Sequence, residues 1–465
     1  MIDRYRSRGA QSTVAFFLVI LIIIALITQW LDISIVTGSL QKKFLLQYSP
    51  QIYSEEFDCS LNCSEISPVI TTNIDKTTTK ACPEYFRWIH EDLRPWKDTG
   101  ITRETVEKAK DMAHIRIIIV NGRLYTEKYK QVFQTRDVVT IWGILQLLRL
   151  YPGKLPDLDL MIECGDKPVI KKRDYRGPNR AIPPPLFHYC GDESSFDIVL
   201  PDWSFWGWPE VNIKPWEELK EEIKEGNRRI KWKNREPYAY WKGNSKLGAA
   251  RHDLIKCNAS DGHDWKAQIF GMVWKNNGRY KIYVEGVSWS VSQKYILACD
   301  SMTLIVKPRF YDFFTRSLLP LIHYWPINEN NKCGSIKFAV EWGNKYTDKA
   351  QEIGKGGSKF VQENLAMEYV YDYTFHLLNE YAKLLKYKPT VPQGAVETCS
   401  ETLVCSVRGQ KRRFLKHSMV KSPADRLTCV LPPSYERSAL SGFLERKENL
   451  TKQVILWDGS ETSSI

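Results

Sequence analysis

Between Cys82 and Pro389 the chain alternates short apolar runs with longer stretches whose apolar residues recur every three or four positions. Continuous apolar runs between turn residues suit buried strands, and three-to-four spacing suits helices with one face inward, so the pattern is α/β. Strands are expected at Ile115–Val120, Leu158–Ile162, Phe196–Leu200, Tyr238–Trp241, Tyr280–Val284, Met302–Val306 and His323–Ile327. Helices are expected at Arg103–Ala113, Val138–Leu150, Trp216–Arg229, Phe338–Tyr346, Thr347–Asn364 and Leu365–Leu385. The turn Asn121-Gly122-Arg123 leads into a hairpin partner that begins Arg123-Leu124-Tyr125. Beyond Pro389 the pattern weakens, and the basic segment 391–465 is expected to contribute little chemistry.

The stretch Tyr280–Lys307 carries the first chemical signal. A strand breaks at Gly286, and Ser290 and Gln293 have capping-box spacing. Val291, Tyr295, Ala298 and Cys299 fall on one helical face, and Asp300-Ser301 ends the helix before the next strand. A glycine turn feeding a helix exposes backbone N–H groups that suit a phosphate; an ordinary βαβ turn that binds nothing is the plain alternative. The same logic recurs after Tyr238–Trp241, where Lys242-Gly243-Asn244-Ser245-Lys246-Leu247-Gly248 precedes a helix carrying Arg251. An arginine there can meet a diphosphate with paired hydrogen bonds, or can be a solvated surface charge.

Candidate catalytic chemistry lies in the first half of this region. Leu158–Ile162 is left through Glu163-Cys164-Gly165-Asp166, and open α/β sheets place chemistry beyond the carboxyl ends of strands. Asp166 is therefore a candidate base, with a turn aspartate as the alternative. Asp157-Leu158-Asp159 matches the D-x-D pattern of some metal-dependent sugar transferases. Pro201-Asp202-Trp203-Ser204-Phe205-Trp206-Gly207-Trp208 concentrates more aromatic surface than a turn is expected to bury. It reads either as a recognition loop that stacks on sugar rings or as a wedge between domains.

Charge and cysteine usage set the context. The 465 residues hold 66 Lys+Arg against 54 Asp+Glu, a formal charge of +12. The basic residues are scattered, with short runs at Lys171-Lys172-Arg173 and Lys411-Arg412-Arg413, which argues against a nucleic-acid binder and fits a small anion or an anionic membrane. Arg4, Arg6 and Arg8 precede an unbroken apolar run from Val14 to Ile27, the pattern of an uncleaved signal anchor over 13–31 with a short cytosolic tail at 1–12. Threonine-rich residues 32–78 read as a stem. Cys59, Cys63 and Cys82 lie before the main domain and Cys399, Cys405 and Cys429 after it. With no C-x-x-C pair, disulfides are expected over zinc, and the odd total of 11 leaves a thiol over. Asn62, Asn258 and Asn449 begin N-glycosylation sequons.

Taken in order, the ECGD loop, PDWSFWGW, YWKGN followed by Arg251, YKIYVEGVSWS, LACDS and HYWPI resemble the lumenal glycosyltransferases related to protein O-glucosyltransferases of the Rumi type and to fungal capsule-associated xylosyltransferases. The tryptophan-rich loop and the terminal Ser463-Ser464-Ile465 look more like the membrane-anchored plant branch. The resemblance spans roughly residues 80–390. It implies an α/β, GT-B-type fold, two Rossmann-like halves facing a cleft, preceded here by the transmembrane helix. The halves would be 79–235, on the acceptor side with the catalytic base, and 236–390, on the UDP-sugar side. It also implies inverting transfer of glucose or xylose from a UDP-sugar to a hydroxyl of a protein or glycan in the Golgi or endoplasmic reticulum, with no metal or other cofactor. By resemblance Asp166 is the base. Asn244, Ser245, Arg251 and the loop Gly286, Val287, Ser288, Trp289, Ser290, Val291 and Ser292 hold the UDP-sugar. Trp203, Ser204, Phe205 and Trp206 touch donor sugar and acceptor. One departure stands out: the O-glucosyltransferases carry an arginine where this chain has Ser292, so Lys294 and Lys246 are the nearest substitute cations, or backbone N–H groups carry more of the binding. The other class of function open to the sequence is an inactive, lectin-like sugar-binding protein with the same fold.

Overall fold

The structure, a computed structural model, describes Cys59, Cys63 and residues 80–177, 181–259, 262–270 and 278–462. The expected anchor at 13–31 lies outside these residues; among the described ones no helix is long and apolar enough to cross a membrane. Among the described residues three sheets form, all within the unit Asp58–Ile465: two large ones, and a two-stranded antiparallel pairing of Gly191–Asp192 with Phe310–Tyr311.

The first sheet contains β1 (Ile115–Val120), β2 (Arg123–Lys128), β3 (Leu158–Ile162), β4 (Phe187–His188) and β5 (Ile198–Val199). Its order is Val396–Glu397, β2, β1, β3, β4, β5. β1 runs antiparallel to both β2 and β3, whereas β3, β4 and β5 are parallel. This half is therefore a mixed sheet and not the parallel arrangement expected of a Rossmann-like half. The cause is the tight Asn121-Gly122 turn, with Asn121 at φ 53° and Gly122 at φ 75°, which returns the chain directly as a hairpin. β1 is buried on both faces. Its one charged residue, Arg116, gives Asp159 two hydrogen bonds of 2.7 and 2.8 Å, and Tyr387 adds a third at 2.8 Å. Asp157 accepts the Asn121 N–H at 2.8 Å. Both carboxylates of the D-x-D pattern are thus engaged in holding the sheet.

The second sheet is parallel throughout. It contains β6 (Glu236–Lys242), β7 (Ala267–Phe270), β8 (Gly278–Tyr283), β9 (Met302–Val306) and β10 (Trp325–Ile327), in the order β10, β9, β8, β6, β7. Alternate residues of β8 and all of β9 are buried, as parallel strands covered by helices require. The order reverses between β6 and β8, which makes the gap beyond their carboxyl ends the topological switch point.

Residues beyond Pro389 are integral to both large sheets. Val396–Glu397 adds an edge strand to the first, and the helix Arg437–Thr462 lays Val454 and Trp457 on the core of the second. Cys59–Cys405, Cys63–Cys399 and Cys82–Cys429 join the two cysteine clusters, and Cys257–Cys333 ties the second half internally. Cys164, Cys190 and Cys299 are free thiols.

Candidate functional site

The two glycine turns meet at the switch point. Gly243 follows β6 and Gly286 follows β8, and Gly248 packs so closely on the second turn that an added Cβ would sit 2.3 Å from the Gly286 carbonyl oxygen. Gly248 also has φ 83°, which an L side chain rarely adopts. Arg251, on the short helix Ala249–Leu254, donates from Nε to the Glu285 carbonyl at 3.0 Å and from a guanidinium nitrogen to the Val284 carbonyl at 3.5 Å. Among the described residues no carboxylate pairs with it. Burial pulls the Arg251 pKa below its ordinary value, as expected for a half-buried cation without a counterion. An anion at the switch point would supply that counterion. Asn244 is exposed, and its Oδ1 accepts the Lys246 N–H at 3.0 Å, so the side chain shapes its own turn; Ser245 is half-exposed beside it.

The loop after Gly286 differs from its expected form in one respect. The helix runs only Ser292–Leu297, begins from Val291 and has no side-chain cap. Ser290 Oγ instead meets Ser292 Oγ at 2.9 Å, and the Ser290 N–H donates to the Tyr283 hydroxyl at 3.1 Å. No capping box forms because Gln293 is drawn into the buried face, which consists of Gln293, Lys294, Leu297 and Ala298 and not of Val291, Tyr295 and Cys299. Val287 is exposed, while Ser288 and Trp289 are buried.

Asp166 lies across the gap, at the carboxyl end of β3. Its carboxylate is exposed and accepts a 3.0 Å hydrogen bond from the buried Arg136. Arg136 in turn stacks on the Trp203 ring, 4.3 Å from its centroid. Glu163 braces the same loop: its carboxylate accepts the Gly165 N–H at 2.9 Å and lies 2.8 Å from His188 Nε2 and 3.2 Å from His114 Nδ1. Burial would raise the Glu163 pKa, but the His188 contact and the Gly165 N–H hold it below the usual carboxylate range. This bracing escaped the sequence reading because His114, Glu163 and His188 are far apart in the chain, though Glu163 within the ECGD loop was a pointer.

The two halves touch through aromatic rings. Trp289 lies 6.1 Å from His188, 6.0 Å from Tyr189 and 6.0 Å from Trp203, ring centre to ring centre. The Cys190 thiol bridges the same seam, donating to the Asp166 carbonyl at 3.4 Å and lying against the Trp289 backbone. Asp166, Trp203 and the loop Gly286–Ser292 are thus brought to one place. Trp203, Ser204, Phe205 and Trp206 are all buried, so the aromatic loop packs as a wedge rather than standing free. The turn can bury them because the helices Trp216–Arg229 and Met367–Leu384 close over it: Trp216 packs edge-on to Phe205, and Trp206 donates to the Tyr371 hydroxyl at 2.9 Å. The buried indole N–H groups of Trp203 and Trp289 have no hydrogen-bond partner among the described residues. They are donors a bound hydroxyl could use.

Glycosyl transferase family 90 matches residues 77–458, most of the chain. The chain belongs to that family. Human protein O-glucosyltransferase 1 is 26% identical over 349 residues, 69% of this chain and 86% of the relative. The O-glucosyltransferase rumi homolog of Aedes aegypti is 27% identical over 331 residues, covering 66% and 79%, and O-glucosyltransferase rumi of Drosophila melanogaster is 25% identical over 332 residues, covering 66% and 78%. A solved glycosyltransferase from Rickettsia africae has a TM-score of 0.25 at 10% identity over 35% of this chain and 52% of that one, too distant to bear on the site.

As a family 90 glycosyltransferase, the protein leaves the Ser292 position without a cation, and Lys294 does not fill the gap. Its ammonium is buried and donates to Ser204 Oγ at 2.6 Å, with Asp202 at 3.5 Å. Lys246 is exposed. Of the sequons, Asn258 and Asn449 are exposed, and Asn62 lies outside the described residues.

Proposed function

We propose that the protein is an inverting glycosyltransferase that moves glucose from UDP-glucose to a hydroxyl of a secretory-pathway protein. The observation that carries this reading is Arg251 at the switch point, without an ion-pair partner among the described residues, with two touching glycine turns beside it and Asp166 across the seam. Glucose is favoured over xylose because the curated relatives are named O-glucosyltransferases.

In this reading the overall arrangement is GT-B, with the donor bound on the second sheet. The diphosphate lies against Arg251 and the amides of Val287–Ser292, and Asn244 and Ser245 border the same turn. The Trp203 and Trp289 indoles donate to sugar hydroxyls, and Ser204, Phe205 and Trp206 act by holding those indoles in place. Asp166 accepts the proton of the acceptor hydroxyl as its oxygen attacks the anomeric carbon and the bond to the UDP oxygen breaks with inversion. Arg136, donating to that carboxylate at 3.0 Å, keeps it aimed. Negative charge growing on the departing diphosphate is met by Arg251 and the loop amides, a stabilisation that needs no metal. The basic-flanked apolar run at 13–31 would make the enzyme a type II membrane protein with its catalytic part in the Golgi or endoplasmic reticulum lumen.

The test is a UDP-sugar panel with the purified full chain, run with and without a chelator, and with Asp166→Asn in parallel. The expected outcome is chelator-resistant transfer from UDP-glucose in the wild type, a loss of at least about 10³-fold in Asp166→Asn, and nearly unchanged UDP affinity. Unchanged turnover in the variant would reject Asp166 as the base, and transfer from UDP-xylose alone would reject glucose as the donor sugar.

A further inference from the structure

The buried Lys294 is the least expected group near the site. It leaves the helix that follows the donor loop, yet its side chain points into the other half of the molecule. Its ammonium donates to Ser204 Oγ at 2.6 Å and to the Val291 carbonyl at 3.4 Å, and Asp202 Oδ2 lies at 3.5 Å. The Phe205 and Tyr295 rings flank it at 4.3 and 4.7 Å. Asp202 also accepts the Ser204 N–H at 2.8 Å, so one carboxylate orders both the tryptophan-rich turn and the lysine that reaches it.

We propose that Lys294 is a positioning residue that clamps the donor loop of the second half onto the tryptophan-rich turn of the first, fixing the distance from the diphosphate site to Asp166. The inference rests on the reading of that loop as the donor site. Lys294 lies two residues from Ser292, and Asp202 is the residue before Trp203, the ring on which Arg136 stacks. A shift of the clamp therefore moves the loop and the support of Asp166 relative to one another. The buried charges agree with this role. Burial alone would lower the Lys294 pKa, yet Asp202 holds it above the ordinary value. Asp312, buried nearby, is pushed up to about 7 by burial and by the charge of Asp202. A buried lysine tied this way is removed from solvent and from any phosphate, and losing one member would strand the other charge.

Because Lys294→Met alone leaves Asp202 unpaired and could unfold the protein, the test uses Lys294→Met with Asp202→Asn, which removes both charges and keeps the volumes. Hydrogen exchange, UDP affinity and kcat are compared with the wild type in the full chain. The clamp predicts roughly tenfold faster exchange of the amides of Val287–Ser292 with β9 unchanged. It also predicts UDP affinity within about threefold of wild type and kcat lower by on the order of 10²-fold, the loss expected from a misplacement near 1 Å. Unchanged loop exchange overturns the clamp. UDP affinity falling in step with kcat overturns it as well, and would make Lys294 a donor ligand. A lower thermal midpoint with unchanged kinetics reduces it to a folding role and overturns the proposal too. A wild type that neither binds UDP nor transfers sugar rejects the function reading, while the exchange comparison still decides the clamp.

Discussion

Gly248→Ala tests the switch-point geometry most directly, because its effect can be worked from coordinates alone. The new Cβ would lie 2.3 Å from the Gly286 carbonyl oxygen and 2.9 Å from its carbon, both backbone atoms that no rotamer change can move. Ordinary contact is about 3.4–4 Å, so the two glycine turns must part by roughly 1 Å. The φ of 83° with ψ 145° adds strain on the order of 1–3 kcal/mol for any residue with a Cβ. The turns sit at a sheet's carboxyl edge and can give locally, so the fold should survive with a loss of about 2–4 kcal/mol, read from the denaturant midpoint. A parting of 1 Å is enough to lower kcat/KM by on the order of 10²-fold, or about 2.7 kcal/mol of transition-state binding. UDP affinity should fall as well, because Arg251 hangs from the carbonyls of Val284 and Glu285 on the displaced side. Gly226→Ala is the matched control. It lies within the helix Trp216–Arg229 with nothing near its added Cβ, and should be neutral or stabilise by up to about 1 kcal/mol. If Gly248→Ala retains wild-type kcat/KM and UDP affinity, the two turns do not form the donor site.

Arg251→Lys keeps the charge but loses the flat, forked donor that reaches two carbonyls and still faces an anion, so UDP affinity measured by calorimetry should drop about 10–100-fold. Equal affinity would remove Arg251 from the site. Glu285 gives a pH signature: burial pushes its pKa up to about 7 from an ordinary value near 4.5, against the pull of the Phe310 and Arg309 N–H groups. A raised acid binds its proton more tightly when folded, so it stabilises most below pH ~4.5 and that stability is lost as pH rises toward 7. Glu285→Gln should flatten the pH-dependence of the urea-derived stability across that window by on the order of 3 kcal/mol. An unchanged profile would mean that Glu285 titrates normally.

The extent to which the protein could be read from its residues follows from how far each interaction reaches along the chain. Local pattern alone set the strands Ile115–Val120, Leu158–Ile162 and Met302–Val306 and the helices Trp216–Arg229 and Thr347–Asn364, whose bounds agree with the structure. Apolar run length and helical spacing act within a turn or two, so these elements are decided by neighbours. The motif order pointed to the family, and the glycines at 243, 248 and 286 marked turns because a missing Cβ is a local property. The clustering of cysteines marked disulfides, but their pairing across some 340 residues required the folded ends to meet.

Tertiary structure alone decided which face of the Ser292–Leu297 helix is buried. Lys294 is charged, and no periodicity would put it inside; only the carboxylate of Asp202, arriving from the other half, makes that burial tolerable. The tryptophan-rich turn has the same explanation. Three large side chains, Trp203, Phe205 and Trp206, exceed what a turn can cover by itself, and they are buried because helices distant in sequence close over them. The antiparallel pairing of β1 with β2 was legible in the Asn121-Gly122 turn, whereas that of β1 with β3 was out of reach, since an apolar run reads the same for parallel and antiparallel neighbours. Sequence determined the parts of the site. The contact of its two halves, with Arg251 lacking a counterion among the described residues on one side and Asp166 held by Arg136 on the other, arose only when burial and charge pairing were satisfied together in three dimensions.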